Sequence, residues 1–393
     1  MHYRRFGRTE LEMPVFSCGG MRFQHGWEKL KPQQIPASVQ ENLEATVHRA
    51  LELGIRHIET AEGYGPSEMQ LGFVLPKIDR DKFWLQTKAA PQEDGASFEA
   101  ELEESFKLLG LEQVDLLSIH GINNHKLFED TFRKGGPMDV IRRWQKEGRI
   151  RFVGFSTHGH CHIIEKAINT GEFDYVNLHW YFINQSNWAA VEAAQKQDMG
   201  VFIISPTDKG GQLHLPSEKL VRLCEPLTPM AFNDLFCLKR PEVHTLSIGA
   251  SKPGDFDAHI KALEHYDTIE MAIQPIEERI HAAMIEALGA DWWPRYAEGL
   301  PNWDAVPGEI NLQYILRIWS LATGLDMTGY GRYRYGMIGN GDHWMAGQKA
   351  TNFDDETIIA ALDKHPQRER IPDILRKAHE LFKGKERKPL SQH

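Results

Sequence analysis

The sequence predicts an α/β fold: a (β/α)8 TIM barrel with an N-terminal hairpin in front and a C-terminal, mainly helical domain behind. Three observations predict it. Short β-rich apolar runs that end in small or polar residues alternate with longer amphipathic stretches. The runs number eight, which favours a closed parallel barrel. No GxGxxG fingerprint follows any of them, which counts against a doubly wound sheet. At 393 residues the chain exceeds one small core. The barrel is expected over 1–284 and the helical extension over 285–393.

The elements follow in order. YRRFGRTELEMPV at the start reads as a hairpin that turns near Gly7–Thr9. The eight runs are 15–20, 55–61, 83–89, 114–121, 150–159, 175–182, 200–206 and 245–251. Helices are expected between them. Over 39–54, apolar residues recur at spacings of three and four, and Gly54 closes the helix; 98–110 repeats the device with Gly110. The alternation stops near residue 265. A helical stretch (268–288), an aromatic turn-rich region (WWP, LPNW, GYGRYRYG) and helical candidates at 309–323 and 355–383 follow.

Bulk properties narrow the function classes. The chain is 41% hydrophobic and 25% charged, as ordinary globular proteins are. A net charge of −10 argues against a nucleic-acid surface. No apolar run approaches membrane-spanning length. The polar N-terminus lacks the apolar core of a signal peptide, and the four cysteines (Cys18, Cys161, Cys224, Cys237) form no CxxC pair. A reduced, cytoplasmic protein is the expectation.

Functional side chains of a parallel barrel sit where strands end. The polar groups that finish three consecutive runs are Glu59, Lys88 and His120, and Tyr64 lies in the loop after Glu59. The set suggests proton donation to a carbonyl oxygen. A free tyrosine titrates near pH ~10, and a neighbouring ammonium is expected to lower that value. A carboxylate behind the lysine keeps it charged, and the histidine orients the acceptor oxygen. Gly19 and Gly20 let backbone approach a ligand closely, and Met21 and Arg22 follow the first run. His158, His160 and His162 hint at a metal site. Three alternating ligands suit an extended chain, however, and this stretch should be turning into a helix without a fourth ligand in view. No metal ligand is assigned there, and the sequence leaves the question open.

IETAEGYGPSEMQLG, LQTKA and DLLSIHG, in that order, resemble the aldo-keto reductase family. Its motif is an acid, a tyrosine five residues on in a YG–SE–LG frame, a lysine in a TK pair and a histidine in an LLxIH strand. The resemblance spans 1–265. It implies a (β/α)8 barrel that binds NADP(H) or NAD(H), with Tyr64 as general acid, Lys88 as its partner, His120 as orienting donor and Glu59 as the carboxylate. The family's usual acid is aspartate, so Glu59 is a departure.

The resemblance also implies cofactor contacts. Gly20 and Met21 would lie near the nicotinamide, and Ser156 and Thr157 stand where the family often has serine–asparagine. Asn177 falls near the family's glutamine, within one residue of register. Ser205 and Pro206 match, but Ile204 replaces the stacking tyrosine. Lys209, Gly210 and Gly211 would meet the pyrophosphate, and Ser251 and Lys252 the adenosine 2′-phosphate. Asp255 replaces an arginine often found there, and with Asp257 it would repel a phosphate. The choice between NADPH and NADH therefore stays open.

INLQYILRIWSLATGLDM and YGRYRYGM resemble a branch of the family with a ferredoxin-like C-terminal extension. That branch holds iron–sulfur clusters on closely spaced cysteines. No cysteine follows Cys237 here, so no cluster is expected. Trp303, Tyr314, Trp319 and Phe353 are expected to fill the space instead. Two functions remain open: an NAD(P)H-dependent oxidoreductase that reduces an aldehyde or ketone to an alcohol, or a dinucleotide-binding sensor or interaction protein with little catalysis. A third, weaker reading keeps electron transfer through a docked ferredoxin. The expected partner is a small carbonyl compound, with neither nucleic acid nor membrane, and the extension would serve a protein partner or a homo-oligomer.

Overall fold

The computed structural model describes residues 1–339 and 345–387, so parts of the expected extension (340–344 and 388–393) lie outside the described residues. Two short strands, β1 (Tyr3–Arg5) and β2 (Glu12–Pro14), form the antiparallel hairpin, with a 3-10 turn at Gly7–Thr9 between them. Eight strands then close a barrel in the order β10-β3-β4-β5-β6-β7-β8-β9. They are β3 (Phe16–Gly19), β4 (His57–Glu59), β5 (Trp84–Ala89), β6 (Val114–His120), β7 (Ile150–Ser156), β8 (Tyr175–Leu178), β9 (Gly200–Ile203) and β10 (Thr245–Ile248). Every neighbouring pair is parallel. Each expected run contains one of them. Parallel strands are covered on both faces, which is why the runs are nearly continuous in apolar residues.

The helices come in chain order. Between the strands lie α1 (Ala37–Glu52), α2 (Ser67–Gly72), α3 (Gly95–Leu109), α4 (His125–Phe132), α5 (Pro137–Lys146), α6 (Cys161–Ile168), α7 (Trp188–Lys196), α8 (Glu218–Cys224) and α9 (Pro229–Leu238). After the last strand come α10 (Asp257–Ala262), α11 (Ile269–Leu288), α12 (Leu312–Leu325), α13 (Thr328–Tyr335), α14 (Asp355–Ala361) and α15 (Ile371–Phe382). Helix α3 shows the local logic. Asp94 caps it by accepting from Ser97 N at 2.8 Å, and Phe98, Leu102, Phe106 and Leu109 bury one face.

The hairpin closes the barrel's N-terminal end. Phe6, Leu11 and Met13 pack in one buried cluster with Leu116, Tyr175 and Phe202 from the barrel strands. Arg4 pins it by donating to the carbonyls of Arg240, at 2.8 Å, and Leu238, at 2.5 Å, near the C-terminus of α9. At the same end Asp115 is buried and accepts from Arg80 and Arg151, both at 2.6 Å, and from Leu85 N at 2.9 Å.

The chain divides into two compact units, Met1–Gly210 with Asn233–Ile269, and Gly211–Phe232 with Glu270–His393. The expected division at 284/285 falls inside α11, which runs unbroken to Leu288. Segment 211–232 goes with the second unit because Ser217 Oγ donates to Leu325 O at 2.6 Å and Arg279 Nε to Leu223 O at 3.0 Å. The core of this unit includes Trp292, Ile315, Leu316, Ile318, Leu325, Leu362, Leu375 and Phe382. Trp303, Tyr314, Trp319 and Phe353 are only half-buried at its margin.

Two local readings are corrected here. The helix expected at 355–383 is two helices, because Pro366 cannot continue one. The glycine-rich GYGRYRY, expected as turns, is α13. Its Gly331 lets the ring of Phe382 approach: a Cβ there would lie 2.3 Å from it.

Candidate active site

Glu59 and His120 end β4 and β6, Lys88 is next to last on β5 between them, and register brings the three to one end of the barrel. Glu59 pairs with Gln86, Lys88 with Ser118, and His120 with Ser156. The loop after β4 is tied to β5, since Glu62 N donates to Lys88 O at 3.0 Å, and it turns at Tyr64, whose N donates to Ala61 O at 3.1 Å. Tyr64 is thereby placed beside Lys88 and His120. The Lys88 Nζ lies 4.5 Å from the Tyr64 ring centroid. The His120 ring meets Tyr64 edge-on, with centroids 5.8 Å apart and an interplanar angle of 85°.

Lys88 and Glu59 are 2% and 3% exposed, so their pairing takes place out of water. Lys88 Nζ donates to Glu59 Oε2 and, at 2.7 Å, to the Thr60 carbonyl. Ser247 Oγ reaches the other carboxylate oxygen at 3.4 Å. Burial works against the ammonium, but Glu59 and Tyr64 outweigh it and hold Lys88 above its ordinary value. The longer arm of Glu59 thus spans the gap to the lysine directly.

Tyr64 differs from the expectation. Burial first, and the Glu59 carboxylate second, push its phenol up to about 12, while Lys88 pulls the other way. The lysine does favour the phenolate, but its charge is largely answered by Glu59. The phenol is therefore an O–H at neutral pH, able to donate a proton rather than hold a negative charge. Below the array, burial followed by the Lys88 charge pushes His57 down to about 3, so this imidazole is neutral.

The expected cofactor residues fall into two groups. Asn177 is fully buried at the end of β8, and neither Oδ1 nor Nδ2 has a hydrogen-bond partner. An orphaned amide is costly and is the natural complement of another carboxamide, so this position fits a nicotinamide. Ser156 Oγ accepts from Gly121 N at 3.2 Å, which leaves its own proton to give. Met21 is half-buried in the loop after β3. Ser205 adopts a left-handed backbone (φ 54°) and, with Pro206, opens the turn closed by Lys209 N donating to Ser205 O at 3.0 Å. Strain in a non-glycine residue of this kind often marks a ligand site.

The second group has structural duties. Thr157 Oγ1 donates to Ile122 O at 2.8 Å and accepts from Gly159 N at 2.9 Å. Gly20 is required by packing, since a Cβ would lie 2.7 Å from Glu59 O. At Gly210 a Cβ would strike the Pro206 carbonyl. Gly211, at φ 128°, begins the segment that belongs to the second unit. Asp255 Oδ2 accepts from Ser251 N at 2.8 Å, Ser251 Oγ at 2.7 Å and Lys252 N at 3.2 Å. The Ser251 hydroxyl and the backbone N–H groups of Ser251 and Lys252 are thus held by a carboxylate of the chain itself.

The three-histidine stretch divides. His158 pairs with His179, Nδ1 to Nε2 at 2.7 Å, whereas His160 stacks on His162 with centroids 6.2 Å apart. Among the described residues no group of three or more His, Cys, Asp or Glu side chains could hold a metal. Also among them, no helix is long and apolar enough to cross a membrane.

Sequence reasoning missed two groups at this end of the barrel. His179 lies inside an apolar run, LHWYF, whose one polar residue was the available signal. Glu68 of α2 is buried against β5, where Thr87 Oγ1 donates to it at 2.5 Å. Only its place in the YGPSE stretch marked it.

Comparison with known proteins bears on the family and the fold. An aldo-keto reductase of Mycobacterium sp. (strain JLS) is 34% identical over 145 residues, covering 35% of this chain and 49% of that protein. The chain spans about half the length of the curated relatives it matches. Among solved structures, an aldo-keto reductase from Bacillus halodurans, in its holo form, has a TM-score of 0.58 at 18% identity, covering 71% of this chain and 96% of its own. One from Klebsiella pneumoniae, in complex with NADPH, has a TM-score of 0.53 at 15% identity, covering 70% and 95%. Both share the barrel fold. The sequence model of the Aldo/keto reductase family matches residues 16–214, more than half of the chain. The chain belongs to the aldo/keto reductase family.

Proposed function

We propose that this protein reduces an aldehyde or ketone to the alcohol with hydride from NADH or NADPH, and that Tyr64 is the general acid. The observation that carries the reading is the buried Glu59–Lys88 pair against the face of Tyr64, with His120 at the ring's edge. The nicotinamide, when bound, supplies the hydride. Tyr64 holds its proton at the phenol oxygen and passes it to the alkoxide that develops on the substrate. Lys88 stays charged because Glu59 faces it, and so steadies the phenolate that remains. His120 orients the substrate oxygen. Asn177 and Ser156 would hold the nicotinamide carboxamide. Gly20, Met21, Ser205, Pro206, Lys209 and Gly210 would line the rest of the nucleotide's path.

The self-capped Ser251–Asp255 loop favours NADH over NADPH. A 2′-phosphate would have to displace Asp255 from three donors and then share the loop with it. The test is absorbance of the nicotinamide in mixtures of protein, either nucleotide, and a panel of aldehydes and ketones. Turnover supports the reading. Saturable nucleotide binding with no turnover across the panel would favour a dinucleotide-binding sensor instead.

A further inference from the structure

Tyr64 stands in a loop whose own backbone is permissive. Glycines flank it at 63 and 65, and Gly65 is left-handed (φ 52°). Much of what fixes the loop comes from the two residues that open α2, Ser67 and Glu68. Ser67 is fully buried, and its Oγ donates to Gly20 O at 2.9 Å. Its single proton is thereby engaged, so Thr60 Oγ1 is the donor in the 2.8 Å bond between the two hydroxyls. The carbonyl of the same Thr60 accepts from Lys88 Nζ at 2.7 Å. Ser67 is therefore joined to Lys88 through one residue, Thr60.

Glu68 grips the same strand end from the other face. Successive side chains of a strand point to opposite faces. On β5, Lys88 points into the barrel, where its Nζ faces the Tyr64 ring, and Thr87 points out, where its Oγ1 donates to Glu68 at 2.5 Å. Ser105 of α3 bonds to the same carboxyl. The loop's entry is held as well, by Glu62 N donating to Lys88 O at 3.0 Å. Residues 62–68 are thus fastened to β5 at both ends, with Tyr64 between. A carboxyl only 3% exposed is costly to bury, and an apolar side chain would fill that space more favourably. Such departures from packing rules gather where a site has to be held in place. Proton transfer is sensitive to placement, and an error of about 1 Å can cost about a hundredfold in rate.

We propose that Ser67 and Glu68 are positioning residues for the proton transfer, fixing the reach of the Tyr64 hydroxyl over Lys88 from buried places behind the loop. This rests on the carbonyl-reductase reading of the same site. Ser67 ties the loop's exit to Gly20 and Thr60, at the ends of β3 and β4, and Glu68 ties it to Thr87 on β5. Three neighbouring strands therefore set where the phenol stands.

The experiment measures kcat for an aldehyde that the full chain reduces, the solvent deuterium isotope effect on kcat, and nucleotide affinity by tryptophan fluorescence. Thr87→Val and Ser67→Ala are each expected to lower kcat by about ten- to hundredfold. Nucleotide affinity should stay unchanged and the isotope effect should grow, because the proton step has become slower. Glu68→Leu should show the same loss, and Glu68→Gln, whose amide oxygen still accepts from Thr87, should recover most of it. Lower melting temperatures with kcat and the isotope effect unmoved would make the two residues packing groups only and overturn the proposal. So would a fall in nucleotide affinity in place of kcat. If the wild-type chain turns over no aldehyde or ketone, the carbonyl-reductase reading fails separately. The positioning is then judged by the ring carbon resonances of Tyr64, assigned by their loss in Tyr64→Phe. A shift in Thr87→Val supports it, and unmoved resonances overturn it.

Discussion

Glu68 gives the barrel a pH-dependent stability that a single substitution should remove. Its carboxyl is 3% exposed and accepts from Thr87, the residue before Lys88. Burial pushes it from an ordinary 4.5 up to about 7, against the pull of hydrogen bonds from Thr87 and Ser105, while Glu62 adds to the rise. Below the unfolded value the carboxyl is protonated in both states, and its contribution is fully present. As pH rises toward 7 the unfolded chain ionises first, and stability is lost until the folded carboxyl ionises too. The loss is on the order of 3 kcal/mol by linkage. For a domain of this size it corresponds to roughly 6–12 °C in Tm. In Glu68→Gln the amide oxygen still accepts from Thr87 but no longer titrates. Thermal scans from about pH 4 to about pH 8 should show wild type falling by that amount more than the variant. Parallel curves for the two proteins would refute the reasoning.

Other perturbations test the site itself. Lys88→Met strands the buried Glu59 carboxylate and should cost about 3–5 kcal/mol in denaturant unfolding, whereas Glu59→Leu with Lys88→Met should recover most of it. Recovery that fails to appear would mean that the pair is not what the surrounding packing depends on. Asp255→Ala frees the donors of Ser251 and Lys252, so NADPH affinity should rise about tenfold relative to NADH. Quenching of tryptophan fluorescence reads both constants, and an unmoved ratio would place the 2′-phosphate elsewhere.

Much of this was legible in the sequence because the barrel's signals are local. Runs such as VDLLSIH are apolar for as long as a buried parallel strand lasts, and their polar last residues mark the functional end. Glu59, Lys88 and His120 could therefore be placed before any coordinates. What was not legible depends on distant partners. Nothing local to GYGRYRY says that Phe382 lies against Gly331, so propensity alone reads it as turns. The Tyr64 phenol was expected to be lowered by Lys88, because the strength of burial and of Glu59 is a property of the assembled site. The pairing of His158 with His179 rather than with His160 or His162 follows from adjacency of β7 and β8, which a linear spacing cannot show. Asp255 was read as repelling a phosphate. Its capture of the Ser251 and Lys252 donors emerges only from the folded loop.

The central claim is that Tyr64 is the proton donor. Its most direct test is Tyr64→Phe, which keeps the ring against Lys88 and His120 and removes only the hydroxyl. Nucleotide binding by fluorescence and carbonyl reduction by nicotinamide absorbance would be measured on the same preparation. The account predicts unchanged nucleotide affinity and a loss of turnover of about 10²- to 10⁴-fold. Turnover retained near the wild-type rate would contradict it.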